Sequence, residues 1–351
     1  MDSHDARPAL APLAWNADTA HTSIIMRILI SGGAGFIGSH LVERLVADGH
    51  RVRVLDNLSS GRRANLPHHR QLEFIEGDVR EAADAACAAH GVDAIYHLAA
   101  VASVQASVDA PAATHATNFL GTLNLLEAAR REGVGRFVYA SSAAVYGDAE
   151  LLPVSEESRP RPLSPYAADK LGGEHYLRFY GQRYGLAATA FRFFNVYGPR
   201  QDPTSPYSGV ISVFAERIRA GAAVTVFGDG RQTRDFVYVS DVVEVLAASL
   251  ANARTYGTVL NIGRGVECSL LELLSELERL TGRRARRRHE PPRAGDVRHS
   301  RADVARLRAA IGYAPATPVA AGLAALLEAQ DAERASARVS AVSPSAISSG
   351  P

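Results

Sequence analysis

The stretch that decides the fold is Arg27-Ile-Leu-Ile-Ser-Gly-Gly-Ala-Gly-Phe-Ile-Gly-Ser-His40. Its first half is a short apolar run, which is typical of a buried parallel strand. Its second half is a glycine turn that opens an amphipathic segment from Phe36 to Asp48, and this pattern predicts a helix. Gly32 permits a tight turn, Gly35 lets a pyrophosphate approach the backbone, and Gly38 allows the helix to pack close to the strand. The N-terminus of such a helix favours phosphate because its N–H groups are unpaired and its dipole is positive there.

A second apolar run, Arg51 to Leu55, ends in Asp56, about twenty residues after the glycines. An acidic side chain at this point accepts hydrogen bonds from an adenosine ribose and repels a ribose phosphate. Strand, glycine turn, helix and terminal Asp therefore predict a dinucleotide site that takes NAD in preference to NADP. The alternative is that these glycines are ordinary turn residues.

Composition indicates a soluble globular protein of ordinary charge. The chain has 351 residues, of which 47% are hydrophobic and 21% charged, and its net charge is +1. A balance of this kind gives no reason to expect nucleic acid or an anionic membrane as a partner. The two cysteines, Cys87 and Cys268, lie far apart. They predict two buried thiols in a cytoplasmic protein, and no metal site.

The two ends of the chain differ from its middle. The first 25 residues have no basic start followed by an apolar block, so no signal peptide or membrane span is predicted there. Because the first strand begins directly after Met26, residues 1–25 are predicted to be a disordered extension. Residues 329–351 are rich in Ala and Ser and are predicted to be a disordered tail.

Two further predicted strands end in residues that suit a cofactor. The first, Leu72 to Ile75, ends at Gly77-Asp78-Val79. Asp78 is placed there to bond an adenine amino group or to cap a following helix, and the two roles are compatible. The second strand, Ala94 to Leu98, runs into Leu98-Ala99-Ala100, where small side chains let a cofactor lie against the backbone. A helix follows over residues 111–131.

That helix carries Asn118. Its amide is predicted either to bond the cofactor or to tie neighbouring strands together. The sequence leaves these two roles open.

A tyrosine and a lysine four residues apart make the second pattern of interest. The strand Arg136 to Ala140 is followed closely by Ser142, and beyond a proline-rich loop a helix opens at about Tyr166 and carries Lys170. Residues four apart share a helix face. A lysine ammonium beside a tyrosine favours the phenolate, so Tyr166 is predicted to act as a base nearer neutral pH than free tyrosine. Ser142 can bond the same substrate oxygen, and Lys170 can also hold a nicotinamide ribose.

On these motifs the chain resembles the extended short-chain dehydrogenase/reductases, in the NAD-dependent epimerase/dehydratase family, and most closely the UDP-hexose 4-epimerases. The likeness covers roughly residues 26–328. The motifs that carry it are Gly32 to Gly38, Asp56 to Ser59, Gly77 to Val79, His97 to Ala100, Ser141 to Gly147, Tyr166 with Lys170, Phe193 to Pro199, Arg234 to Phe236, and Arg293 to Asp296.

The resemblance implies an α/β fold with a Rossmann-type, doubly wound, mostly parallel sheet and a smaller C-terminal α/β substrate domain. The NAD-binding domain is expected from residues 26–195, with 237–265 returning to it. The substrate domain is expected from residues 196–236 and 266–328. The ligands are then expected at the carboxyl edge of the sheet, between the two domains.

The resemblance also implies the site. Asn195, Arg234 and Arg293 are expected to hold a uridine diphosphate, because two arginines can clamp a diphosphate through paired N–H donors. For either arginine alone the alternative is a surface ion pair. The expected cofactor-binding residues are Gly32, Gly35, Phe36, Ile37, Gly38, Asp56, Asn57, Asp78, Val79, Leu98, Ala99, Ala100, Asn118, Ser141, Tyr166, Lys170 and Phe194, and the expected substrate-binding residues are Ser142, Tyr166, Asn195, Val210, Thr225, Phe227, Arg234, Arg293, Asp296 and Ser300.

Two alanines limit the reactions that the resemblance allows. Similar dehydratases carry an acidic pair after the catalytic hydroxyl and decarboxylases carry a glutamate, whereas this chain has Ala143 and Ala144, which exchange no proton. Inversion at C4 of a UDP-hexose, catalysed by Ser142, Tyr166 and Lys170, is therefore expected. The alternatives are another sugar-nucleotide reaction (4-ketoreductase, dehydratase or decarboxylase) and a non-catalytic NAD-sensing protein. The family's pocket-limiting position is Ser300, a small residue that predicts acceptance of N-acetylated hexoses.

Two surface features complete the analysis. The run from Arg283 to His289 is the strongest charge cluster and follows a predicted helix, so it is predicted to be a solvated loop rather than a nucleic-acid site. The resemblance implies a homodimer formed through the helices near residues 113–131 and 165–184.

Overall fold

A computed structural model of the chain describes residues 25–202, 209–292 and 297–342. Residues 1–24 of the predicted N-terminal extension and residues 343–351 of the predicted tail lie outside these ranges. The strands, in chain order, are β1 (Arg27–Ser31), β2 (Arg51–Asp56), β3 (Leu72–Glu76), β4 (Ala94–His97), β5 (Arg136–Ser142), β6 (Ala187–Phe193), β7 (Asn195–Tyr197), β8 (Ala223–Phe227), β9 (Thr233–Arg234), β10 (Phe236–Tyr238), β11 (Thr258–Ile262), β12 (Cys268–Ser269) and β13 (Arg286–Glu290).

Helices connect most of these strands. They are α1 (Phe36–Ala47), α2 (Ala82–Ala89), α3 (Val104–Asp109), α4 (Pro111–His115), α5 (Gly121–Glu132), α6 (Pro165–Tyr184), α7 (Val210–Arg219), α8 (Val239–Ser249), α9 (Leu270–Thr281), α10 (Ala305–Ile311) and α11 (Val319–Val342). Short 3-10 turns occur at Arg63–Asn65, Ala143–Tyr146 and Ala253–Thr255. In the described ranges no helix is both long and apolar enough to cross a membrane.

The main sheet has seven strands in the order β11-β6-β5-β4-β1-β2-β3, and every pair is parallel. The order changes direction between β1 and β4, where Ser31 pairs with Leu55 on one side and with His97 on the other. A change of direction at this point opens a crevice outside the carboxyl ends of the strands. The predicted Rossmann-type α/β fold is confirmed.

The sheet is buried on both faces, which explains the uninterrupted apolar runs in the sequence. In β1, Ile28 and Ile30 pack into one hydrophobic cluster with α1 and α8, while Leu29 packs into a second cluster with α2, α5 and α6. All three side chains have no exposed surface. Successive residues of a strand point to opposite faces, so a three-layer arrangement buries them all.

The helix predicted over residues 111–131 is interrupted. A π-helical turn at Ala116–Leu120 separates α4 from α5. A π turn inserts an extra residue into the helix and rotates the side chains that follow it. Asn118 lies in this turn, fully buried.

A third hydrophobic cluster is formed by elements from the second half of the chain. The parallel pair β8 and β13 packs with α7, α9 and α11 around side chains that include Phe214, Val224 and Leu326. The predicted loop at the charged run is therefore wrong from Arg286 onward, because that segment is β13 and pairs with β8 along its length. The solvated character is as predicted, since the side chains of Arg286 to His289 are exposed.

Two other predictions need correction. The disordered tail expected from residue 329 is helical as far as Val342, because α11 is rich in Ala, which has a high helix propensity, and Arg334 of α11 pairs with Glu216 of α7. Cys87 is exposed and Cys268 is partly buried, so the two thiols are not both buried as expected. Cys87 lies on α2, a surface helix that buries alanines on its other face.

Candidate active site

A cavity of about 1510 Å³ lies along the carboxyl ends of the main-sheet strands. It is lined by the residues that follow or end β1 to β6, as the change of strand order predicts. One part of its lining, here called the β5/α6 wall, consists of Ser141, Ser142, Tyr166 and Lys170. Another part, here called the β8 wall, consists of Asn195, Thr225, Phe227, Arg234, His299 and Ser300.

Of the three motif glycines in the glycine turn, Gly32, Gly35 and Gly38, two leave no room for a side chain. Gly32 has φ +73°, and a Cβ added there would stand 2.6 Å from the Ala99 nitrogen. A Cβ on Gly38 would stand 2.2 Å from the Gly32 carbonyl oxygen. A Cβ on Gly35 would meet that oxygen at 3.2 Å and, in the part of the chain that the structure describes, nothing else within 4 Å. The turn is therefore closely packed at Gly32 and Gly38 and more open at Gly35, where a ligand can approach the protein backbone.

Asp56 is buried at the end of β2 and lines the cavity. Its carboxylate accepts hydrogen bonds from the backbone nitrogens of Ala34, at 2.9 Å, and Leu58, at 2.8 Å. It therefore fixes the glycine turn against the end of β2. A carboxylate has about four acceptor sites, so it retains capacity for the hydroxyls of a ribose.

Asp78 also lines the cavity, on the loop after β3. It accepts hydrogen bonds from the Arg80 side chain and backbone and from the Asn57 amide. The Arg80 guanidinium lowers the pKa of the Asp78 carboxyl to about 2. The predicted helix cap is wrong, because α2 begins later, after Glu81, and Asp78 closes a turn instead.

Asn118 is not among the described residues that line the cavity. Its amide accepts from the Val101 nitrogen at 2.8 Å and donates to the Val101 oxygen at 3.2 Å. These two bonds join the π turn to the loop after β4. They do not tie two strands together, and the cofactor role of Asn118 stays a prediction.

Ser142, Tyr166 and Lys170 lie together on the β5/α6 wall. The Ser142 hydroxyl accepts from the Ala144 nitrogen at 3.1 Å. It also lies close enough to the Tyr166 phenol to lower the pKa of that group. The Lys170 ammonium lies 5.9 Å from the centre of the Tyr166 ring and donates to the Ala140 carbonyl oxygen at 2.8 Å. The pattern of a serine at a strand end and a tyrosine and lysine four residues apart therefore converges on one place, as predicted.

The ionisation of these groups differs from the prediction. Burial raises the pKa of Tyr166, although the Ser142 hydrogen bond opposes the change. Burial also lowers the pKa of Lys170 to about 8. The expected phenolate near neutral pH is thus not a property of the protein alone. The loss of water around the phenol raises its pKa more than the neighbouring groups lower it. The Lys170 ammonium donates its hydrogen bond to the backbone carbonyl of Ala140.

His97, at the end of β4, has a structural role that the sequence did not reveal. It has 1% of its surface exposed and bridges the hydroxyls of Ser31, at 2.7 Å, and Thr122, at 2.9 Å. Thr122 donates its own proton to the Asn118 carbonyl oxygen, so His97 Nε2 donates to Thr122 and Nδ1 accepts from Ser31. Burial and the nearby Lys170 charge lower the pKa of His97 to about 3, which keeps the ring neutral.

The predicted substrate residues Asn195, Val210, Thr225, Phe227, Arg234 and Ser300 all line the cavity, whereas Arg293 and Asp296 lie outside the described residues. Ser300 is in a segment held on both sides. The Arg298 carbonyl accepts from the Thr233 nitrogen at 3.0 Å, and the Arg301 carbonyl accepts from the Val154 nitrogen at 2.8 Å. These bonds hold the Ser300 backbone beside the cavity.

The sequence reasoning missed several polar residues of the lining, namely Gln105, Gln201, Gln232 and His299. His299 follows the Arg-x-Gly-Asp motif by three residues and adjoins Ser300, so its position could have been inferred. The glutamines occur in no recognisable motif. No group of three His, Cys, Asp or Glu side chains arranged for a metal ion occurs in residues 25–202, 209–292 and 297–342.

This lining fits a dinucleotide. The turn is open above Gly35, Asp56 provides a carboxylate at the end of β2, and Lys170 provides a cation at the other end of the row of strand ends. In a dinucleotide, Asp56 suits the adenosine ribose, the turn at Gly35 suits the pyrophosphate, and Lys170 suits the second ribose.

The chain is similar to known nucleotide-sugar epimerases. UDP-glucose 4-epimerase of Mycolicibacterium smegmatis is 43% identical over 308 residues, which cover 86% of this chain and 98% of that protein. The crystal structure of UDP-glucose 4-epimerase from Thermotoga maritima with UDP-glucose matches with a TM-score of 0.84 at 39% identity, covering 88% of this chain and 100% of that chain. UDP-N-acetylglucosamine 4-epimerase from Methanobrevibacter ruminantium, in complex with UDP-N-acetylmuramic acid, matches with a TM-score of 0.84 at 34% identity, covering 88% and 99%.

A family model matches residues 28–263, which include the glycine turn, the β5/α6 wall and β11. With this match and the identity to the relatives above, the chain belongs to the NAD dependent epimerase/dehydratase family.

Proposed function

We propose that the chain is an NAD-dependent UDP-hexose 4-epimerase, which interconverts UDP-glucose with UDP-galactose and UDP-N-acetylglucosamine with UDP-N-acetylgalactosamine. The observation that carries the proposal is a cavity whose lining includes Ser142, Tyr166 and Lys170, the glycine turn, and Arg234 with Ser300. A cofactor and a sugar nucleotide can therefore meet at one pair of hydroxyl groups.

The reaction follows from the roles of the β5/α6 wall. When bound, NAD supplies a centre that takes up a hydride and gives it back. Tyr166 accepts the proton of the C4 hydroxyl as C4 is oxidised to a ketone, and Ser142 bonds the same oxygen. Tyr166 returns the proton after the opposite face of the transient 4-keto sugar has been presented, so no net redox change results. Lys170 stabilises the phenolate and holds the nicotinamide ribose.

The β8 wall is proposed to hold the nucleotide while the sugar turns. Arg234, together with Arg293, supplies donors for the diphosphate, and Thr225 and Phe227, which line the same cavity, are proposed to contact the uracil. A strong anchor and a loose sugar pocket are what a reaction on both faces of one carbon requires.

The small side chain of Ser300 is proposed to admit the N-acetyl group. The backbone on both sides of this residue is held by the bonds to Thr233 and Val154, so a larger side chain at position 300 would project into the cavity rather than swing away. In the variant Ser300→Tyr we therefore expect loss of the N-acetylated activity and retention of the glucose activity. Unchanged N-acetylated activity would contradict this role.

Dehydration and decarboxylation are disfavoured, because Ala143 and Ala144 line the cavity at the point where an acid would be needed. A ketoreductase would consume reduced cofactor, and an NAD sensor would not need Ser142, Tyr166 and Lys170 together.

The experiment uses the purified protein without added cofactor. It is incubated with UDP-glucose and, separately, with UDP-N-acetylglucosamine, and the galacto isomers are assayed. Both products support the proposal, and the glucose product alone removes the role given to Ser300. No product, even with NAD added, contradicts the proposal and leaves another sugar-nucleotide reaction.

We also propose a homodimer formed through the helices near residues 113–131 and 165–184, which include the π turn, α5 and α6. Four large apolar or aromatic side chains, which are 40% to 52% exposed, support this assignment: Leu120, Tyr176, Phe179 and Tyr184. An exposed cluster of this kind is typical of a protein interface. We expect light scattering to give the mass of a dimer for the wild type and for the control Val266→Glu, and of a monomer for Phe179→Glu. A monomeric wild type would contradict the interface.

A cytoplasmic location is proposed as well. The supporting observation is that Cys87 and Cys268 are both free thiols, which suits a reducing compartment. Fractionation of cells that produce the protein from its own gene tests this proposal.

A further inference from the structure

Helix α6 carries three polar side chains at a spacing of four, Tyr166, Lys170 and Glu174, which places them on one helix face. Lys170 makes the bond to Ala140 of β5 described above, and Tyr166 lies beside Ser142. The third accepts a hydrogen bond from the Ser141 hydroxyl. Residues 140 and 141 at the end of β5 are therefore bound to α6 at two consecutive positions, directly before Ser142.

Glu174 is held in turn by Arg192 of β6. The guanidinium donates to both carboxylate oxygens, at 2.9 Å and 2.7 Å, and each of the two side chains is 5% exposed. Burial of a single charge is costly, but a paired geometry with two hydrogen bonds offsets that cost. The Arg192 guanidinium also lies 4.6 Å above the ring of Tyr146, whose hydroxyl donates to Asn261 of β11. The pair thus links α6 to β5, β6 and β11.

The bond to Ser141 has a directional consequence. A serine hydroxyl has one proton, and here that proton is committed to Glu174. Ser141 is 2% exposed and lines the cavity beside Ser142. Toward a ligand it can therefore act as an acceptor in a fixed orientation, and rotation of this part of β5 against α6 is opposed.

We propose that Glu174, charged and oriented by Arg192, is a positioning residue that sets the separation of Ser142 and Tyr166. This inference rests on the proposed function, because that function requires both hydroxyls to reach one substrate oxygen. Misplacement of reacting groups by about 1 Å costs about a hundredfold in rate, so a bond that fixes their spacing has a measurable effect.

The first variant is Ser141→Ala, which removes the bond to Glu174 and leaves the ion pair intact. We expect the rate of sugar oxidation, followed by the appearance of reduced nicotinamide on mixing with UDP-glucose, to fall about tenfold or more. The KM for UDP-glucose and the thermal midpoint should stay near the wild-type values. An unchanged oxidation rate would overturn the proposal.

The second variant, Glu174→Met with Arg192→Met, separates positioning from stability. Replacement of both members of a buried ion pair by apolar side chains of similar volume retains stability. If the pair is only structural, this double variant oxidises UDP-glucose at the wild-type rate, which would overturn the proposal. We expect the double variant to fold and to oxidise UDP-glucose as slowly as Ser141→Ala does. Adding Ser141→Ala to the double variant should cause little further loss of this rate.

The control is Asp241→Asn. Asp241 is a buried carboxylate that accepts from Tyr313 and Thr317 and from two backbone nitrogens, and it is not among the described residues that line the cavity. We expect a lower thermal midpoint and an unchanged oxidation rate for the folded fraction. A rate loss equal to that of Ser141→Ala would show that any buried polar change slows the reaction, which would overturn the proposal.

The readout also separates this inference from the proposed function. Oxidation of C4 is shared by the related sugar-nucleotide reactions, so a wild type that oxidises UDP-glucose without forming the galacto isomer contradicts the epimerase alone. The variant rates then still decide the role of Glu174. A wild type that does not oxidise the sugar overturns both.

Discussion

Lys170 and Ser141 of the β5/α6 wall are each 2% exposed, whereas Asn195 and His299 of the β8 wall are exposed. Ser141 and Lys170 are anchored by buried hydrogen bonds to Glu174 and Ala140. Ser142 and Tyr166 are partly exposed, as are the other four residues of the β8 wall. The difference matches a reaction in which the proton-transferring groups must stay fixed while the sugar presents two faces. Changes in the first wall should therefore affect turnover or stability, and changes in the second should affect affinity and substrate choice.

The largest effect is expected for Tyr166→Phe. Loss of the proton acceptor should lower kcat by about a thousandfold, within the range for a general base, while UDP-glucose binding measured by calorimetry changes little. Tyr256→Phe, a partly exposed tyrosine stacked on Arg136, is the matched control and should retain full turnover. If both variants kept wild-type turnover, the β5/α6 wall would not be the reacting one.

The second effect concerns the contribution of the glycine turn to the free energy of unfolding. The Cβ of Gly38→Ala would stand 2.2 Å from the Gly32 oxygen, so we expect a loss of about 3 kcal/mol in the free energy of unfolding, measured with urea. Gly35→Ala is the matched comparison, because its Cβ meets that oxygen at 3.2 Å. It should fold with a smaller loss and yet bind NAD weakly, since the methyl group fills the open side. Equal losses of stability would contradict this distinction.

The third effect is a pH dependence of the free energy of unfolding that comes from His97, the buried histidine at the end of β4. The folded pKa of His97 is about 3, below its unfolded value of about 6.5, so the unfolded chain binds the proton more readily. The contribution is intact above about pH 6.5 and is lost as the pH falls, by about 2 kcal/mol between about pH 7 and pH 5. Urea unfolding at the two pH values should show this loss in the wild type and not in His97→Gln. An equal loss in the variant would assign it to other groups.

The smallest effect is expected on the β8 wall. Arg234→Lys keeps the charge but loses the planar pair of donors, so KM for UDP-glucose should rise about tenfold with kcat nearly unchanged. Steady-state kinetics at two salt concentrations measure it. A fall in kcat without a change in KM would contradict the separation of the two walls.

Much of the fold could be predicted because local pattern and tertiary structure agree. The apolar run before Gly32 is buried on both faces, and the glycines lie where a Cβ has no room. Ser142, Tyr166 and Lys170 could be placed together because spacing on a helix and position at a strand end are both local properties.

What could not be predicted depends on contacts between distant segments. Arg192 looks like one polar residue in an apolar strand, and only the fold brings it to Glu174. The spacing of Glu174, four residues after Lys170, was the available signal. The strand β13 consists of charged residues and is specified by its pairing with β8 rather than by its own composition. The raised pKa of Tyr166 depends on burial that no pair of residues reveals.

The position of β11 sets an order in time. This strand closes the main sheet against β6, yet residues 194–257, which carry much of the β8 wall, are synthesised between the two. Until β11 emerges from the ribosome, β6 has a free edge, and a free edge is a template for pairing with other chains. A chain released after Tyr238 would carry Asn195, Thr225 and Arg234 but lack the strand that completes the sheet. The β5/α6 wall and the β8 wall therefore form together, and a single cut in the gene cannot separate one of them as a folded unit.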